Sequence, residues 1–392
     1  MSLLRVDEAL ARVFDLVAPL PTETVPLARA AGRILAEPVV STRAQPPFPS
    51  SAMDGYAVQD ADVRAGAVLR VIGESAAGHR YDGALTPGHA VRIFTGAPVP
   101  DGADRIIIQE DVDRAGDQIT LHSNLDMAAY IRPAGGDFAV GTSLSAPRKL
   151  TASDLSLLAA MNIPQVRVAR KPVVALMATG DELVMPGDTP GPDQIIASNS
   201  FAIKAVLEAE GAHVRILPIA RDTHASLIAG FEQAEGADMV VTTGGASVGD
   251  HDLVGEVAAD LGMDRAFYKI AMRPGKPLMA GRFGDMAMVG LPGNPVSSIV
   301  CTHLFLRPAV RVMLGLPAAA LERQTARLAA DLPANGPREH YMRADLRDGA
   351  VTAFDRQDSS LLSVLARANA LLVRPVADGP RKSGELVDVI PV

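Results

Sequence analysis

The chain has 392 residues, 48% of them hydrophobic, with 34 Gly, 29 Pro and a net charge of -8. That length predicts two to four domains rather than one. The absence of Trp, the low aromatic content and the negative balance argue against a base-stacking platform, broad nucleic-acid binding or a membrane-surface protein.

The first residues form an amphipathic helix start rather than a signal peptide, with Val6, Leu10, Val13 and Val17 at helical spacing. A second, shorter helix is predicted over 27–35. The run Q-P-P-F-P-S-S-A-M-D-G-Y-A at 45–57 must be extended, because Pro46, Pro47 and Pro49 forbid a helix. Asp54-Gly55 is a turn signal, and on the residues alone Asp54 reads as a turn aspartate. Residues 58–146 alternate in short runs (68–72, 90–94, 105–109, 118–121) broken by Gly, Pro and Asp, which predicts a small β domain. Helical pattern resumes at Thr151 or Ser153 as N-cap, with Leu155, Leu158 and Ala159 facing inward. The β domain therefore reads as an insertion. The division is 1–44 with 147–170 as a helical layer, 45–146 as the inserted β domain, 171–317 as an α/β domain and 318–392 as a C-terminal β domain.

From Lys171 strands and helices alternate, which implies a parallel sheet with right-handed crossovers. The predicted strands are 173–178, 213–219 and 238–242, then 267–271, 278–282 and 287–290. Val240 and Val241 lie in an apolar run without polar alternation, as in a strand buried on both faces. After it comes T-T-G-G-A-S-V-G-D-H-D. Its glycines Gly244, Gly245 and Gly249 precede a helix, and such a turn is an anion site by construction. Two similar turns follow, M-R-P-G-K-P at 272–277 and G-L-P-G-N-P at 290–295. A long helix over 294–314, with Pro308 expected to kink it, holds the single cysteine, Cys301, which reads as an inert core thiol. No apolar run reads as a bilayer span, so a reducing cytoplasmic setting is expected. Residues 318–392 return to period-two alternation and predict a small β-barrel or sandwich, with one short helix within 359–370.

Carboxylates gather at predicted strand ends: Asp181 and Glu182, then Asp222, then Asp250 and Asp252. In a parallel sheet these ends share one edge. Such a group suits a hard cation like Mg²⁺, which takes one or two carboxylates plus substrate phosphates. Acids at helix starts are also what the macrodipole favours, and Asp250 fits that role well; Glu182 and Asp252 fit it less well. Lys269, Arg273 and Lys276 are the basic groups for a phosphate or oxoanion, and Ser297 opens the long helix, whose free N–H groups could hold an anion. Metal, phosphate and oxoanion in one cleft suggest phosphoryl or nucleotidyl chemistry. The Walker pattern and the spaced dinucleotide pattern are absent, and no Ser-His-Asp or zinc cluster appears.

The motifs P-P-F-P-S-S-A-M-D-G-Y-A, F-T-G-A-P-V-P-D-G-A-D, A-T-G-D-E-L, T-T-G-G-A-S-V-G-D-H-D, M-R-P-G-K-P, G-L-P-G-N-P-V-S and S-S-L-L-S-V-L-A-R-A-N-A-L follow one another from Pro46 to Leu371. With them the chain resembles the molybdopterin molybdenumtransferases, the MoeA family, which is similar to the C-terminal region of gephyrin. The resemblance implies an elongated four-domain homodimer that inserts molybdate into adenylylated molybdopterin, releasing AMP, with Mg²⁺. A molybdopterin adenylyltransferase is the implied upstream partner, and neither nucleic acid nor membrane is a partner. The family's functional positions fall on Asp54, Thr95, Arg132, Asp137, Glu182, Asp222, Asp252, Lys269, Arg273 and Lys276. Glu182 and Asp252 would hold the cation, Gly244, Gly245 and Ser247 would cradle the pterin phosphate, and molybdate would sit by Arg273, Lys276 and Ser297. Gly136 stands where the family usually has Glu, and Arg273 where some members have Lys. The alternatives are the preceding adenylyltransferase, which uses the same kind of α/β domain, and a non-enzymatic scaffold of the gephyrin type.

Overall fold

A computed structural model describes residues 3–245 and 253–392. The helix Val6–Asp15 forms as its spacing predicts, with Asp7 and Glu8 in the first turn, where the macrodipole favours them. Its buried face, Ala9, Leu10 and Val13, joins the core of the α/β domain rather than a helical layer. The second predicted helix is a correction. Only Leu27–Arg29 makes a 3-10 turn, and Ile34–Leu35 is a strand. Gly32, at φ +70, breaks the turn, and Leu35 then pairs with Val168 and Arg148. The stretch expected as a helical layer is thus built on an antiparallel sheet, in the order Thr22–Pro26, Gln165–Ala169, Ile34–Leu35, Arg148–Lys149. One helix, Ala152–Ala160, packs Leu158 against it. Thr151 is its N-cap, in a reciprocal capping box with Asp154.

The insertion leaves this sheet and returns to it. Its own sheet runs Arg105–Ile108, Gly55–Val58, His89–Ile93, Val68–Ser75, Gln118–Leu121, Val112–Ala115. Gly55 is required there, because a Cβ would stand 1.9 Å from the carbonyl oxygen of Ile107 across the strand pair.

The α/β domain carries the strand order His213–Ile216, Val173–Ala178, Met239–Thr243, Met286–Leu291, Met279–Phe283, Asp264–Tyr268. The first four pair in parallel and the last two antiparallel, and Asp264–Tyr268 lies three residues earlier than its predicted strand. Each central strand feeds two cores. Val174, Leu176, Met239 and Val241 face one, and Ala175, Met177 and Val240 face the other. This period-two division is why these strands read as unbroken apolar runs.

The long helix begins at Pro295 and ends at Met313. Ahead of Pro308 its turns widen into a π-helical segment, Thr302–Leu306. A proline offers no N–H to the preceding turn, and a π-bulge accommodates that loss within a continuous helix. By length and composition this helix could cross a membrane, contrary to the sequence reading. Its most apolar window is 83% buried inside the protein, so it is a core helix. Cys301 is fully buried in it, and burial pushes its thiol far above the ordinary range. That holds it in the unreactive protonated form.

The C-terminal strands close into a barrel. Glu339–Arg347 pairs with both Ala350–Ala353 and Ala370–Arg374, and Gln324–Leu328 and Leu386–Pro391 complete the ring. A short helix, Leu362–Leu365, falls in the predicted window. The barrel is tied to the α/β domain by main-chain pairing, Met272 and Arg273 running parallel to Glu339 and His340.

Candidate active site

Strands Val173–Ala178 and Met239–Thr243 run in parallel and end together, with Ala178 opposite Thr243. The Thr179 N–H donates to the Thr243 carbonyl at 2.9 Å and closes the sheet edge. The chain then turns through Gly244 at φ +96 and Gly245 at φ +64. A Cβ on Gly244 would lie 2.5 Å from the Thr179 carbonyl oxygen, and one on Gly245 would lie 2.2 Å from the Val254 side chain. Both positions need glycine for the fold itself, before any ligand is considered. Beyond this edge opens a cleft of about 590 Å³. Gly244 and Gly245 line it, as do Pro292, Gly293, Asn294 and Pro295 of the third glycine turn.

Glu182 and Asp222, from two strand ends, both line this cleft. The Glu182 carboxylate folds back over Gly180, its oxygens 2.3 and 2.8 Å from where a Cβ would stand. Asp181 does a different job, since its Oδ1 accepts the Asp222 N–H at 3.2 Å and ties the two turns together. Ser247, Gly249, Asp250 and Asp252 lie outside the described residues.

Of the basic groups, Lys269 sits at φ +70 with its ammonium 4.7 Å from the Tyr268 ring. Arg273 is exposed, and Lys276 is half-buried beside Pro277, which lines the cleft. Ser297 is only 4% exposed, and Asn294 and Pro295 of the same turn, not Ser297, form the cleft wall.

The barrel supplies a part that sequence reasoning missed. Arg343 is 1% exposed; its guanidinium donates to the Asp358 carbonyl at 2.7 Å, to Gln357 Oε1 and to the Arg356 carbonyl. These bonds hold the loop that brings Ser360 to the cleft. The Ser359 carbonyl meanwhile accepts the Val296 N–H at 3.0 Å, from the first turn of the long helix. Burial, and then the positive charges of Arg273, Arg343, Arg374 and Arg338, push His340 down to about 4. It is therefore neutral near pH 7. The sequence signal for this loop is the late S-S-L-L-S motif at 359–363.

The inserted domain holds a second cluster. Asp54 Oδ1 accepts both the backbone N–H of Thr95 at 2.7 Å and its hydroxyl at 2.8 Å. These two bonds, the backbone one first, hold the half-buried Asp54 carboxyl below the usual range, and nearby Arg92 adds to them. Arg132 sits on a two-residue strand opposite Ser50. The Asp137 N–H donates to the Gln45 carbonyl at 2.9 Å. The adjacent Gly136 closes a tight turn, its N–H donating to the Pro133 carbonyl at 3.1 Å. None of Asp54, Thr95, Arg132 and Asp137 lines the cleft of its own chain, nor does Lys269, Arg273 or Lys276.

Among the described residues no group of three or more His, Cys, Asp or Glu could enclose an ion. Mg²⁺ keeps most of its water and is bound through one or two carboxylates with substrate phosphates. Glu182 and Asp222 on one cleft fit such a partial shell, with a phosphate ligand completing it.

The fold and the cleft define a multidomain protein whose α/β domain opens a cleft at the carboxyl edge of its sheet, with a β-barrel contributing to the wall. Residues 4–162 match the MoeA N-terminal region (domain I and II), 175–312 a probable molybdopterin binding domain, and 325–392 the MoeA C-terminal region (domain IV). The chain belongs to the MoeA family of molybdopterin molybdenumtransferases. It is 36% identical to the molybdopterin molybdenumtransferase of Nostoc sp., over 96% of this chain and 91% of that one. It is 33% identical to that of Haemophilus influenzae, over 99% and 98%. Among solved structures, the molybdopterin biosynthesis MoeA protein of Pyrococcus horikoshii superposes with a TM-score of 0.85 at 29% identity, covering 100% of this chain and 99% of that one.

Proposed function

We propose that the protein inserts molybdate into adenylylated molybdopterin and releases AMP, with Mg²⁺ as the cation. The observation that carries this reading is the single cleft in which Glu182, Asp222, two glycine turns and Ser360 of the barrel meet, in a chain of this family. The glycine turn at Gly244 and Gly245 accepts the pterin phosphate by close backbone approach. Glu182 and Asp252 would hold the cation, and Asp222 lines the same cleft as Glu182. When bound, that cation offsets charge on the phosphoanhydride as it breaks. Arg273, Lys276 and Lys269 bring positive charge to the anionic substrates. Ser360 favours the transferase over the adenylyltransferase reading, because it makes the barrel part of the cleft and not an appendage.

The inserted-domain cluster completes the site from a second subunit. Asp54, Thr95, Arg132 and Asp137 bear functional side chains yet leave their own cleft unlined. In a two-fold dimer the inserted domain of one subunit faces the α/β cleft of the other. The protein works in the cytoplasm and receives its substrate from a molybdopterin adenylyltransferase.

The test is AMP release from adenylylated molybdopterin with molybdate and Mg²⁺. Glu182→Gln is expected to lower turnover on the order of 10²–10³-fold while calorimetry still finds the ligand bound. Full-rate AMP release under chelation would sink the cation role.

A further inference from the structure

We propose that Arg221 is a positioning residue for the cleft, setting Glu182 and Asp222 in place through the backbone of the turn 180–183. The inference rests on the reading of those two acids given above. Arg221 Nη1 donates to the carbonyls of Gly180, Asp181 and Leu183 at 3.3, 2.9 and 3.1 Å. The remaining carbonyl of the turn, that of Glu182, accepts the Ile195 N–H at 2.7 Å. All four carbonyls around Glu182 are thus engaged, three of them by one guanidinium.

The same residue is fixed at its other end. The Arg221 N–H donates to Ser226 Oγ at 2.9 Å. The Gly180 N–H donates to the Ala220 carbonyl at 3.1 Å, and the Asp222 N–H to Asp181 Oδ1 at 3.2 Å. The two acid-bearing turns therefore form one unit with Arg221 at its centre, and neither carboxylate is used to hold it. All three bonds come from Nη1, whose two N–H groups share them, and the planar guanidinium fixes that nitrogen over the turn; a lysine ammonium on its flexible unbranched stem is held there less firmly.

Arg221 is exposed, so water replaces it at the carbonyls when it is removed, and the fold loses little. What is lost is the aim of Glu182. Groups that orient a metal-binding carboxylate typically govern affinity by about 10–100-fold.

The experiment compares full-length wild type, Arg221→Ala, Arg221→Lys and Glu182→Gln. Mn²⁺ binding in the presence of AMP is read by electron paramagnetic resonance, alongside Mg²⁺-dependent AMP release and thermal unfolding. Arg221→Ala is expected to weaken Mn²⁺ binding and raise the Mg²⁺ concentration for half-maximal rate by about 10-fold or more. Excess Mg²⁺ recovers its rate, its unfolding transition stays at the wild-type position, and Arg221→Lys falls between the two. Unchanged Mn²⁺ affinity in Arg221→Ala overturns the proposal, as does a loss of rate that tracks a lowered unfolding transition. If Glu182→Gln itself keeps both Mn²⁺ affinity and rate, the reading of the cleft acids is wrong and the inference falls with it.

Discussion

The cleft of the α/β domain and the Asp54 cluster of the inserted domain hold their carboxylates in opposite ways. In the inserted domain the bonds go to the carboxylate itself, with Thr95 occupying Asp54 Oδ1 twice. In the cleft the bonds go to the backbone around Glu182, through Arg221 and Ile195. The first arrangement sets an ionised group in one orientation through Oδ1. The second fixes where a carboxylate starts from and leaves both oxygens for a ligand. A group that must present a fixed negative charge gains from the first, and a group that must exchange ligands gains from the second.

The largest effect that would break this picture comes from mixing subunits. Asp54→Ala and Glu182→Gln homodimers are each expected to be nearly inactive. Co-expressed in equal amounts, they pair at random, and each mixed dimer keeps one intact site if the two clusters come from different subunits. The preparation then shows about a quarter of wild-type AMP release per subunit. Activity at the level of the single variants, with mixed dimers demonstrated by mass, places both clusters in one subunit.

A middle-sized effect separates glycines that the fold needs from those that only a turn needs. Gly244→Ala drives a Cβ to 2.5 Å from the Thr179 carbonyl at φ +96, so it is expected to cost about 1–3 kcal/mol and to lose ligand binding as well. Gly96→Ala, beside Thr95 at φ +81, meets open space and is expected to cost about 1 kcal/mol. Denaturant unfolding with calorimetric ligand titration checks both, and equal costs at the two positions contradict the packing described.

The smallest effect concerns pH. Thr95→Val keeps the backbone donor to Asp54 and removes the hydroxyl donor. Both donors lower the Asp54 carboxyl, so losing one raises it, and ionised Asp54 is lost at a higher pH as the solution is acidified. The acid limb of the pH–rate profile is expected to move up, with the rate near pH 7 within a few-fold of wild type. A limb that stays put means that Asp54 does not act as the ionised group.

Much of the cleft was legible because it obeys a local rule. A parallel strand ends, a glycine turn follows, and the acids after successive strands must share one edge; Glu182 and Asp222 meet for that reason. The inserted β domain was legible in its runs, since 68–72, 90–94, 105–109 and 118–121 all lie in or against observed strands. The run 27–35 was not. Its apolar spacing suits a helix, yet Ile34 and Leu35 pair with residues more than a hundred positions away, and no local window contains that partner.

The sequence by itself determined the strand and helix alternation of the α/β domain, the sheet edge where Gly244 and Gly245 turn, and Glu182 and Asp222 on it, because those follow from periodicity and from the short reach of a turn. It also carried the resemblance to the family in motifs spread over most of the chain. Only the tertiary structure decided that Arg221 gathers the carbonyls around Glu182, that Arg343 is buried to hold the loop of Ser360, and that Asp54 stands away from its own cleft. Each of these is a contact between segments remote in sequence, chosen by which surfaces can pack together. A side chain's spacing along the chain holds no record of which distant carbonyl it meets.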